Sequence, residues 1–132
     1  MDISATVRSA RSAHEVTVRT GTATQKLNVS AKATARGSAV NGGEFLMLAL
    51  ATCYCNDLYR EAERLKVPLE GVEVEASADF PGIGLAATNI RYRASVESPA
   101  PAGAIAELLR QTDAVAEVHN TLRAGVPVRL ET

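Results

Sequence analysis

The sequence predicts an α+β domain built on antiparallel strands, and three observations carry that reading. Stretches of alternating apolar and polar residues cluster near the N-terminus and again after residue 71. Between them runs one long stretch of good helix formers, with no Gly or Pro from 45 to 67. Strands and helices are thus grouped rather than interleaved, which is the α+β pattern. The chain has 132 residues, so it is read as a single domain, 1–132. A hydrophobic fraction of 46% suffices for a core.

Each element has its own signal. Residues 3–8 alternate as a half-buried strand does, and 9–13 are small and polar, as in a turn. Val16 and Val18 mark a second strand ending near Gly21, and Leu27 and Val29 a third ending near Ala33. The short connections predict an antiparallel meander. After a loop over 35–43, Gly42 and Gly43 let the backbone turn sharply into a helix of about 43–66. The first half of that helix is apolar all round, which predicts burial on every side. In its second half, Leu58, Tyr59, Ala62 and Leu65 recur every three or four residues, leaving one wet face.

Pro68 and Gly71 end the helical region. A strand over 72–80 with an acidic outer face follows, then a turn at 81–84 and a strand over 90–96. Arg91 and Arg93 can pair with Glu73 and Glu75 across this hairpin, as on a solvated sheet face. Pro99 and Pro101 precede a short helix over 104–110. Asp113 is read as the cap of a second helix that runs through Leu122 and stops at Gly125. Residues 126–130 complete the order as an edge strand, since they contain Pro127.

Composition excludes several classes of function. A net charge of −1, with no basic run and few aromatics, argues against nucleic acid and membrane surfaces as partners. The apolar run is about eleven residues, short of the roughly twenty needed to span a bilayer. The first residues lack the features of a signal peptide, so the expectation is a cytoplasmic protein. A helix apolar on all sides needs more cover than one sheet provides, and a second copy can supply it in a homodimer.

Cys53 and Cys55 are the only cysteines. Two positions apart on a helix, they lie about 200° apart and cannot form a relaxed disulfide. With His14 and His119 distant in sequence, they form no zinc signature, so no metal and no cofactor is expected. Either one cysteine is reactive, its pKa lowered by a cation from another segment, or both are small buried hydrophobes.

The stretch Asn41-Gly-Gly-Glu-Phe-Leu-Met-Leu-Ala-Leu-Ala-Thr-Cys53 resembles the entry into the central helix of the OsmC/Ohr superfamily (osmotically inducible protein C and organic hydroperoxide resistance). Ala116-Glu-Val-His-Asn-Thr-Leu122 is similar to that family's second motif, in which a cysteine and a proline stand where Ala116 and Glu117 stand here. The resemblance implies an antiparallel sheet wrapped around a long central helix in an intertwined homodimer. It also implies thiol-dependent reduction of organic hydroperoxides, a defence against oxidative stress. Cys53 takes the place of the attacking cysteine, and Arg11, in the first hairpin turn, that of the arginine holding the thiolate. Gly43 replaces the family's glutamate, and the adjacent Glu44 is assigned its role. Ala116 removes the resolving cysteine. Three routes then remain: an external thiol resolves a Cys53 sulfenic acid, Cys55 takes part, or the fold binds a small molecule without redox chemistry. His119, beside the vacated position, is either a pocket acid-base group or structural. Tyr54 and Tyr59 are read as core or interface residues, and Arg36 as a solvated loop residue.

Overall fold

The computed structural model describes residues 1–131 and has two compact units, Met1–Phe45 and the chain from Leu46 onward. The first is a three-stranded antiparallel sheet in the order β1 (Ile3–Ser9), β2 (His14–Thr20), β3 (Ala23–Leu27). The predicted meander forms, but its third strand lies nearer the N-terminus than the Leu27–Val29 pattern suggested. Gly21, at φ +57°, makes a two-residue turn that starts the pairing at Thr20↔Ala23 and carries it to Val16↔Leu27. Turn geometry therefore sets this register, through a strand of mainly polar residues. Beyond it, Ala31 makes only an isolated bridge to Ser38.

Helix α1 (Gly42–Leu65) begins in this unit with a reciprocal cap. The Glu44 backbone N–H donates to Asn41 Oδ1 at 2.8 Å, and the Asn41 N–H donates to Glu44 Oε1 at 3.0 Å. Such a capping box satisfies two N–H groups that have no partner within the helix, and stabilises it by about 1 kcal/mol.

The second unit packs the body of α1 with the hairpin β4 (Gly71–Asp79) and β5 (Thr88–Glu97) and with α2 (Ala102–Val115) and α3 (Glu117–Ala124). Tyr54, Leu58, Ala62, Leu108 and Ala116 form the buried core, with Val72, Val74, Ala94 and Val96 of the hairpin packed against it. The predicted strand alternation thus turns one face of β4–β5 inward. On the other face Arg93 meets Glu75 at 3.3 Å with both side chains well exposed, the solvated pairing that the sequence suggested.

Three expectations need correction. The first half of α1 is not buried all round by its own chain: Leu50 and Tyr54 are buried, but Leu48 is 56% exposed, so the expected full cover needs a second copy. The helix after Pro101 runs on to Val115, and Asp113 lies inside it rather than capping the next one. Asp113 is free of capping because its carboxylate accepts from the Tyr92 hydroxyl and from Arg123. The break falls instead at Ala116 (φ −73°, ψ 106°), whose side chain enters the core. Finally, residues 126–130 form no strand, and Val128 and Leu130 are almost fully exposed. Pro127 cannot donate to a sheet, and no partner strand lies beside them among the described residues. Gly125, at φ +61°, does end α3 as read, its N–H donating to the Leu122 carbonyl.

Candidate functional site

The break at Ala116 brings the start of α3 against the middle of α1. Cys53 is half-buried there, packed on the core that includes Ala116. Its Sγ lies 3.6 Å from Asp57 Oδ2, one helical turn further along α1, and 3.9 Å from Glu117 Oε2 at the first position of α3. The Val118 backbone, one residue further on, also lies near the sulfur. The sulfur and one oxygen of each carboxylate all lie within 4.8 Å of one another.

Burial pushes the Cys53 thiol up from its ordinary value. The Val118 backbone works in the opposite direction, and the charges of Asp57 and Glu117 add to the rise. Asp57 is itself raised, first by burial and further by Glu117, against the pull of the Arg60 guanidinium 3.0 Å away. Two carboxylates and a thiol facing one another favour retention of the thiol proton. Asp57→Asn or Glu117→Gln, each made in a Cys55→Ser background, removes one of these charges. Each is expected to lower the pH at which Cys53 ionises and to raise its alkylation by iodoacetamide at pH 7 several-fold. An unchanged or slower rate would show that the carboxylates do not act on the sulfur.

The other residues assigned from the sequence lie as follows. Arg11 is exposed in the turn between β1 and β2, and no carboxylate is within ion-pair distance of it among the described residues. The Glu44 carboxylate is engaged in the α1 cap. Arg11 and Glu44 both belong to the first unit and Cys53 to the second. Cys55 is half-buried, and both cysteines are free thiols. Tyr54 is core, its hydroxyl donating to the Leu109 carbonyl at 2.8 Å, whereas Tyr59 is half exposed.

Sequence reasoning missed Asp57 and Glu117. Asp57 is four residues after Cys53, a spacing that places both on one helix face. It nevertheless reads as an ordinary charge where the helix turns polar. Glu117 could have been found only by knowing that α3 starts against α1. His119 is 4% exposed and lies edge-on to Tyr92, with ring centroids 4.4 Å apart. Neither ring nitrogen has a hydrogen-bond partner. Burial, and after it the Arg123 charge, holds its pKa below the ordinary value, so the imidazole is neutral at pH 7.

The sequence profile of the OsmC-like protein family matches residues 35–131, from the loop before α1 to the end of the described chain. The protein belongs to the OsmC-like family. Among curated proteins none matches the sequence. Several solved structures share the fold, two of them as follows. An OsmC-like protein from Mycoplasma pneumoniae superimposes with a TM-score of 0.65 at 20% identity, covering 92% of this chain and 86% of that one. An OsmC-like hydroperoxide resistance protein from Jannaschia sp. CCS1 gives 0.58 at 18% identity, covering 89% and 79%.

Proposed function

We propose that the protein is a thiol peroxidase that reduces organic hydroperoxides through Cys53. The observation that carries the proposal is the position of the sulfur. By the motif resemblance Cys53 takes the family's thiol place, and in the structure its sulfur is half-buried on α1 beside Glu117, the first residue of α3. The Cys53 thiolate attacks the terminal peroxide oxygen, the O–O bond breaks, and the alkoxide leaves and takes up a proton. Cys53 is left as a sulfenic acid. Ala116 cannot resolve it, so an external thiol condenses with it, releasing water and forming a mixed disulfide. A second thiol equivalent displaces Cys53 and completes the cycle. A dithiol such as dihydrolipoamide supplies both equivalents. The cytoplasm, where thiols are kept reduced, suits such a cycle. No helix among the described residues is long and apolar enough to cross a membrane.

Because Asp57 and Glu117 oppose ionisation, the proposal requires a cation at the sulfur. It assigns that part to Arg11, oriented by Glu44. It treats the two units as parts of one domain, a reading supported by a family match that starts inside the first unit, at residue 35. It also includes a homodimer, supported by apolar residues of α1 that the single chain leaves open, among them Leu48 and Tyr59. A dimer mass in solution at micromolar concentration is expected, and a monomer mass would count against this part.

A second reading, a non-catalytic binding or structural protein on the same fold, is favoured by the two carboxylates that face the thiol and by Ala116. Consumption of cumene hydroperoxide with dithiothreitol or dihydrolipoamide separates the two readings. Turnover by the wild type that Cys53→Ser lacks supports the enzyme, and equal rates support the binder.

A further inference from the structure

Next to the thiol site, and sharing none of its three acidic groups, is a cavity of about 420 Å³. Small-molecule sites commonly fall between about 300 and 1,000 Å³. Leu50 of α1, Ile90 of β5 and Leu122 of α3 form its apolar walls, with the rings of Tyr92 and His119 between them. Arg91 and Arg123 are its charged residues, and no carboxylate lines it.

The polar groups point to one kind of occupant. His119 is 4% exposed, yet both its ring nitrogens lack a partner. Buried polar side chains without partners are rare in folded proteins. A neutral imidazole keeps one N–H to donate, and a carboxylate oxygen is a fitting acceptor. Arg123 is partly committed, donating to Asp113 Oδ1 at 2.7 Å and Asn120 Oδ1 at 3.2 Å. Arg91 is exposed and donates only to the Asn89 carbonyl at 2.8 Å, which leaves most of its guanidinium free. Free guanidinium N–H groups recognise carboxylates, and such charge-assisted bonds are stronger than neutral ones. An amine or other cation would meet the free guanidinium of Arg91, which has no acid to offset it among the described residues, since Asp113 is engaged with Arg123.

We propose that this cavity binds a small organic carboxylate with an apolar body, its acid group held by Arg91 and His119 and its hydrocarbon against Leu50, Ile90 and Leu122. The volume matches that of about fourteen waters, which is room for a phenyl ring on a short acid chain. The inference does not depend on peroxidase chemistry, so the test uses the full-length Cys53→Ser protein.

3-Phenylpropionate, the isosteric 3-phenylpropanol and 3-phenylpropylamine would each be titrated by calorimetry and by NMR of the histidine ring signals. The acid is expected to saturate at about millimolar concentration or below, to shift the His119 signals, and to bind at least tenfold more tightly than the alcohol or the amine. Arg91→Gln, a change at an exposed side chain, is expected to reduce acid binding about tenfold and leave the weak alcohol binding unchanged. Equal binding of acid and alcohol would overturn the proposal, leaving an apolar cleft with no charge selection. Binding that leaves the His119 signals unmoved would overturn it too. So would absence of binding, as when a second copy of the chain covers the cavity.

Discussion

Cys53→Ser is expected to abolish hydroperoxide consumption, leaving only the background reaction of peroxide with the reductant. The loss is complete because the step needs an ionised, polarisable nucleophile, and an alcohol beside Asp57 and Glu117 supplies none. The substitution is nearly isosteric and the site is only half-buried, so the fold is retained. Cys55→Ser is the matched control. It changes the neighbouring thiol on a different face of α1 and is expected to keep the wild-type rate. If Cys55→Ser lost activity as completely as Cys53→Ser, the external-thiol route would give way to one in which both cysteines take part.

The largest expected effect on stability is at Leu108, not at the site. Its side chain is fully buried against Tyr54, Leu58, Ala62 and Ala116, where α2 meets α1 and the start of α3. Leu108→Ala leaves a cavity in a close-packed core, and comparable substitutions cost about 3 kcal/mol. The urea midpoint should fall accordingly with little change in the slope. A loss below about 1 kcal/mol would mean that the neighbouring side chains collapse into the space. The same core seats Ala116, and Glu117 and Val118 follow it directly. Peroxide turnover by Leu108→Ala is therefore expected to fall as well, even where the protein remains folded.

Much of the architecture was legible because it rests on local patterns. Alternation in β1, β4 and β5 and the long run of helix formers in α1 each announce an element without help from the rest of the chain. The motif ending at Cys53 and the one beginning at Ala116 placed the two segments that pack together in the second unit. What escaped depends on distant partners. Asp113 reads as a cap until Tyr92 and Arg123 are seen to occupy its carboxylate. β3 was misplaced because Gly21, not hydrophobic alternation, sets its register.

The electrostatics at the thiol were the least legible part. Asp57 and Glu61 are 6% exposed, and their helical spacing suggests a wet face. Arg60 and Arg64 reach over them from the same helix and make their burial tolerable. A sequence pattern tells which face is apolar. It does not tell which charged residue will be covered by its neighbours. That is why carboxylates at 3.6 and 3.9 Å from the sulfur are not legible in the sequence.

The raised thiol also carries a sign for stability. A folded-state pKa above the unfolded one means that the folded chain holds its proton more tightly. The contribution of Cys53 is therefore fully present below the ordinary thiol pKa and is lost as pH rises through the folded value. A cation brought to the sulfur would act in the opposite direction, so the proposed chemistry and the local carboxylates pull the thiol two ways.

Trapping the first product decides between them most directly. The Cys55→Ser protein would be treated with one equivalent of cumene hydroperoxide in the presence of dimedone, and the adduct located by mass spectrometry. The peroxidase account predicts a single dimedone adduct on Cys53, formed as the peroxide disappears. An unmodified Cys53 thiol alongside undiminished peroxide would contradict it.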